Sequence, residues 1–118
     1  MISDDLMDIF IAQQVSPIAV VKPKGNFDSV SVSEANTRID ALVGEGIVNF
    51  VVDLSDTLFL GSAAMAMLIA LLKRVRALDG NARLVWPQRA AAQHVLKLTR
   101  LDRVFEMADT VDTALANF

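Results

Sequence analysis

An α/β fold, a mixed sheet with helices packed against it in the order β-β-α-β-α-β-α-β-α, is predicted for this 118-residue chain by three observations. Short runs rich in Val and Ile alternate with longer segments of helical periodicity. The run at residues 47–54, IVNFVVDL, follows Gly44 and Gly46 and reads as a central strand buried on both faces. Two further runs near the amino terminus are joined by a turn too short for a crossover, so they form an antiparallel edge.

Taken in order, residues 9–14 and 18–22 are the two strands of that hairpin, with the turn at Ser16-Pro17. Pro23 and Gly25-Asn26 end the second. From Ser31 the pattern turns helical: Ser31 and Glu34 read as a capping box, and Val32, Ala35, Ile39, Leu42 and Val43 share a face. Val30 and Ala35 would staple its start, and Gly44 or Gly46 closes it. After the central strand comes a loop, then a long helix beginning at Ser62 as N-cap and ending at Asp79-Gly80. Residues 82–86 form a strand stopped by Pro87, and residues 88–98 form a helix with Ala91, Val95 and Leu98 on one side. A short strand at residues 104–107 precedes a last helix, capped by Asp109 or Thr110, that carries Val111, Ala114, Leu115 and Phe118 at helical spacing.

The length suits one domain, residues 1–118, and such a domain buries roughly two-thirds of its unfolded surface. At 53% hydrophobic residues the chain is apolar, yet no run reaches the ~18 residues of a membrane span. The longest candidate, residues 58–72, is interrupted by Gly61-Ser62 and runs into Lys73-Arg74. The first ten residues, MISDDLMDIF, are acidic where a secretory signal is basic, so a cytoplasmic protein without direct membrane insertion is expected. The net charge of −3 argues against a nucleic-acid surface, and the cluster Lys73, Arg74, Arg76 suits the solvated last turns of a helix. With no cysteine there is no disulfide framework, thiolate nucleophile or zinc-thiolate site.

Conventional active sites find no support. His94 is the only histidine and has no second ligand or triad partner, so it reads as structural. Neither phosphate-binding glycine motif occurs, and no cofactor is implied. Asp53 and Asp56 flank the loop after the central strand, but the other acidic group, Asp4, Asp5 and Asp8, precedes the first strand and suits a solvated terminus. Trp86, at a strand end, reads as core packing. On the long helix, Ala64, Leu68, Leu71 and Val75 form the stripe that faces the sheet, with Met67 and Leu72 at its edges. The opposite stripe, Ser62, Ala66, Ile69, Lys73 and Arg76, is apolar in its upper half. It is either a shallow docking surface or a face covered by the same chain.

The segment DLSDTLFLGSAAMAMLIALLKRV (53–75), with ARLVWP after it and HVLKLTRLDRVFEMADTVDTAL (94–115) beyond, resembles the anti-sigma factor antagonist type of STAS domain. GNFD at residues 25–28 is similar to that family's Gly-x-apolar-Asp after the second strand. The resemblance covers nearly the whole chain, and the order of elements agrees with the STAS fold. Family members carry Asp-Ser-[Ser/Ala/Thr]-Gly before the long helix, and a partner ATPase kinase phosphorylates the first serine. Matched by position, Ser62 falls on the phosphoacceptor, Ala63 on the small residue, Ala64 on the Gly, and Gly61 on the Asp, which this chain lacks.

The resemblance thus implies a non-enzymatic protein that works by partner switching. Its binding surface would be Gly61, Ser62, Ala63, Met65, Ala66, Ile69 and Lys73, offered to a serine-kinase-type anti-sigma factor or related ATPase regulator. Phosphorylation of Ser62 would expel that partner and a phosphatase would reset the surface. Ser62 as a simple helix cap is the plain alternative. Two other roles on the same fold stand beside this one: a constitutive cytoplasmic subunit of an ABC-type lipid transport complex, which the missing Asp suits, and a scaffold of a stress-signalling assembly modified at Ser62 or Thr57. A hydrolase using Ser62 and His94 ranks last.

Overall fold

The computed structural model describes residues 7–116 and 118. In chain order the elements are β1 (Met7–Ala12), β2 (Ile18–Pro23), β3 (Gly25–Phe27), α1 (Ser29–Gly44), β4 (Asn49–Asp53) and β5 (Thr57–Leu60). Then follow α2 (Ser62–Arg76), β6 (Asn81–Val85), α3 (Ala90–Leu98), α4 (Leu101–Val104), β7 (Glu106–Ala108) and α5 (Val111–Ala116). Asp4 and Asp5 lie outside the described residues.

Five strands form a mixed sheet in the order β1-β2-β4-β6-β7. β1 and β2 are antiparallel, with Met7 opposite Pro23 and Ala12 opposite Ile18, whereas β2, β4, β6 and β7 run parallel. The expected antiparallel edge and central strand are therefore both present. β4 sits in the middle, and its Phe50, Val51 and Val52 are fully buried because helices cover both faces of the sheet. The larger core joins Phe50, Val52 and Leu84 of the sheet to Ile39 of α1, Leu68 and Leu71 of α2 and Leu96 of α3. A smaller one, on the opposite face, joins Val20, Val51 and Val85 to Ala114 of α5.

The structure adds three elements to the predicted order. β3 and β5 pair with each other as a separate two-stranded parallel sheet, and α4 interposes one helical turn before β7. Val104 therefore ends a helix, and the last strand is Glu106–Ala108 rather than residues 104–107. α1 starts three residues earlier than the sequence suggests. Its N-cap is Asp28, whose Oδ1 accepts from Val30 N (3.2 Å) and Ser31 N (3.4 Å), while Ser31 Oγ accepts from Asp28 N at 2.9 Å. The capping box is thus Asp28 with Ser31, not Ser31 with Glu34. A carboxylate placed directly after β3 reaches the first free N–H groups, and Val30 is left exposed instead of stapling the helix.

α1 closes at Gly44, and Gly46 takes the left-handed conformation expected of a helix stop (φ 95°). Thr110 caps α5, its Oγ1 accepting from Thr113 N at 3.1 Å. On α3 the buried side carries Ala92 and Leu96, and the expected face of Ala91, Val95 and Leu98 turns outward, with Val95 half-buried. Leu101 and Phe105, just beyond that helix, are buried in the larger core while Leu98 is exposed.

Candidate functional site at the start of the long helix

The site grows from the carboxyl end of the central strand. Asp53 is buried, and its Oδ1 accepts from Ser55 N at 3.0 Å, turning the chain out of the sheet. Asp56 at the turn's tip pairs with Lys22 Nζ at 3.2 Å, and this hydrogen bond raises the Lys22 pKa above its ordinary 10.5. Thr57 is buried, with Oγ1 donating to Pro23 O at 3.3 Å. That burial removes Thr57 as an accessible modification site, contrary to the expectation that offered it as the alternative to Ser62.

β5 then carries the chain past β3. Its first and last residues, Thr57 and Leu60, are buried, and between them Leu58 is 46% and Phe59 54% exposed. Gly61 ends the strand as the N-cap of α2, in extended conformation (φ −81°, ψ 167°), donating to Phe27 O at 3.0 Å and accepting from Met65 N at 3.2 Å. Ser62 is consequently the first helical residue, not the cap. Among the described residues no side chain caps α2, so the first N–H groups of this helix have no side-chain acceptor there.

The expected stripe of α2 faces the core: Ala64, Leu68, Leu71 and Val75 are buried, with Met67 and Leu72 beside them. On the other side Ser62, Ala66, Lys73 and Arg76 are exposed, while Ala63, Met65 and Ile69 are half-buried against the core. The outer face is therefore uncovered by the described residues. Leu58 and Phe59 add two exposed apolar side chains in β5 just before Gly61 and were invisible in the sequence, where TLFL reads as loop. Val30, expected to staple the start of α1, is a third exposed apolar residue, at the first turn of that helix. β5 buries its two end residues and exposes the two between, so its four residues show no period by which a strand could be told from a turn.

A Cβ at Gly61 would lie 3.5 Å from both Phe27 O and Phe59 Cε2, and 3.7 Å from Asp28 Cα, all ordinary contacts. The loop therefore has room for a side chain there. His94 is exposed on α3, and among the described residues no hydrogen bond joins it to Ser62. Among the same residues no three His, Asp or Glu side chains gather as a metal ion would require, and no helix is long and apolar enough to cross a membrane. Trp86 packs half-buried against the larger core, with Lys97 Nζ 5.7 Å from its ring centre.

Residues 10–114 match the family model of the STAS domain. The chain belongs to the STAS domain family. Among solved STAS-like structures, an anti-sigma factor antagonist from Mycobacterium paratuberculosis is 28% identical, with 95% of this chain and 93% of that one covered and a TM-score of 0.77. A Thermotoga maritima protein, described as a candidate anti-sigma factor antagonist, is 21% identical over 97% of this chain and 95% of its own, with a TM-score of 0.83. The Bacillus cell fate determinant SpoIIAA, solved in its phosphorylated form, is 15% identical over 92% of this chain and 97% of its own, with a TM-score of 0.70. The last two likenesses concern the fold. The STAS architecture of these proteins is the one described above, including a mixed sheet with helices packed on it.

Proposed function

We propose that this STAS domain is an anti-sigma factor antagonist-like binding protein that acts by partner switching and catalyses nothing itself. The observation that carries the reading is the position of Ser62: exposed, first in α2, between the exposed Leu58 and Phe59 of β5 and the exposed Ala66 one turn along the helix. In the unmodified state the surface around Ser62 docks on a serine-kinase-type anti-sigma factor or related ATPase regulator and releases that regulator's other ligand. Gly61, Ala63, Met65 and Lys73 complete the contact area around it.

Transfer of the γ-phosphoryl group of ATP to Ser62 Oγ releases ADP and adds about −1.5 to −2 charges at the centre of the surface. The uncapped N–H groups of α2 and the positive end of its dipole favour the phosphate there, so the modified protein remains folded. The partner, in contrast, must desolvate that charge against apolar groups, and dissociates. A phosphatase restores the binding state.

Gly61 favours a second reading. Without the family's Asp, constitutive binding, as by a cytoplasmic subunit of an ABC-type lipid transport complex, requires no modification at all. The two readings separate on incubation of the protein with its purified ATPase partner and ATP, followed by mapping of phosphate by mass spectrometry. Switching requires stoichiometric phosphate on Ser62 and none on Ser62→Ala. An unmodified Ser62 in a stable complex with the ATPase supports the constitutive subunit.

A further inference from the structure

The corner between α3 and α4 carries a groove of about 410 Å³ lined by Lys97, Leu98, Arg100, Asp102 and Arg103. A neighbouring groove of about 470 Å³ shares Lys97 and continues over Trp86, Pro87 and Gln93 to Asp109. Gln93 Nε2 donates to Pro87 O at 2.8 Å within the lining of that second groove. Neither groove contains a residue of the surface around Ser62.

Three features set this corner apart. Lys97, Arg100 and Arg103 form no ion pair among the described residues, so three cations outweigh the single carboxylate of Asp102 in the first groove. Leu98 is 72% exposed between them, and Val104 stands 47% exposed beside Arg103. Arg100 occupies left-handed backbone (φ 61°), where Gly or Asn would be less strained. That conformation breaks α3 from α4 and places a guanidinium at the bend.

We propose that this corner docks an acidic polypeptide segment bearing aliphatic side chains. Carboxylates pair with Lys97, Arg100 and Arg103, and an aliphatic side chain packs on Leu98, with the segment running toward the Trp86 groove. The charge complementarity selects a protein segment over phosphate polymers or an anionic bilayer. Three cations on a chain of net charge −3 form a local field, not the broad basic face that DNA or a membrane requires.

Trp86 is the only tryptophan, so its emission reports occupancy directly. The probe is an amide-capped octapeptide, EELEELEE, titrated into the full chain. Binding should be saturable, unchanged in Ser62→Asp, and weakened at least about tenfold by Lys97→Glu/Arg100→Glu/Arg103→Glu or by about 0.5 M NaCl. Arg100→Gly should weaken it by roughly threefold without lowering Tm, because glycine relieves the left-handed backbone. No saturable emission change, equal binding by the triple variant, or equal binding of the lysine analogue KKLKKLKK overturns the proposal. So does tighter association with vesicles containing phosphatidylserine than with the peptide.

Discussion

Gly61 N donates to Phe27 O at 3.0 Å, tying the N-cap of α2 to the end of β3, whose next residue, Asp28, is the N-cap of α1. Two helix starts are thereby brought together, and the serine that follows Gly61 is presented beside the apolar residues of β5. Because the backbone at Gly61 is ordinary extended conformation with room for a Cβ, Gly61→Asp should fold normally. A carboxylate at the N-cap should add at most a few tenths of a kcal/mol, partly offset by the neighbouring Asp28, read as a small rise in urea midpoint with an unchanged m-value.

Gly80 is a different case. A Cβ there would meet Val48 O at 1.9 Å, a backbone atom that cannot rotate away, and Gly80 N donates to Val75 O at 2.7 Å. Gly80→Ala should therefore destabilise the protein by about 2 kcal/mol or more. Gly44→Ala, in open space at the end of α1, should be neutral or stabilise by roughly 0.5 kcal/mol. Equilibrium denaturation of the two variants provides the comparison.

Leu68 and Phe59 separate folding from binding. Leu68 is fully buried on the core face of α2, so Leu68→Ala should cost about 2–5 kcal/mol. Phe59 is 54% exposed on β5, so Phe59→Ala should leave thermal stability nearly unchanged while weakening the partner complex by roughly tenfold or more. Calorimetric titration of the partner, with a melting curve for each variant, tests both.

The Lys22–Asp56 pair fixes a pH dependence. Its hydrogen bond raises the Lys22 pKa above 10.5, so the pair's contribution to stability is complete below the unfolded-state value and is lost as pH rises through the folded-state value. Stability from this pair should be flat around neutrality and fall only in strong alkali. Asp56→Asn should flatten that alkaline limb in urea titrations.

Much of this architecture could be read from residues alone, because burial imposes period. The stripe Ala64, Leu68, Leu71, Val75 and the doubly buried central strand are unambiguous at their lengths. Shorter elements carry too few residues to show a period. β3, β5 and α4 span three or four residues each, and their pairing depends on neighbours distant in sequence. Capping failed for a related reason: Ser31 and Glu34 satisfy the local box pattern, but the arrival of β3 puts the Asp28 carboxylate at the helix start first. At the site, Ser62 and Ala66 were legible as an outer face. Leu58 and Phe59 were not, since their exposure follows from the β3–β5 pairing.

The most direct test of partner switching compares the affinity of the purified ATPase regulator for wild-type protein and for Ser62→Asp, with Ser62→Ala as the unmodifiable control. The account predicts tight binding by wild type and Ser62→Ala and a loss of about a hundredfold or more for Ser62→Asp, on the order of 3 kcal/mol. Equal affinity of all three would contradict it and leave Ser62 as the first residue of a helix in a constitutive complex.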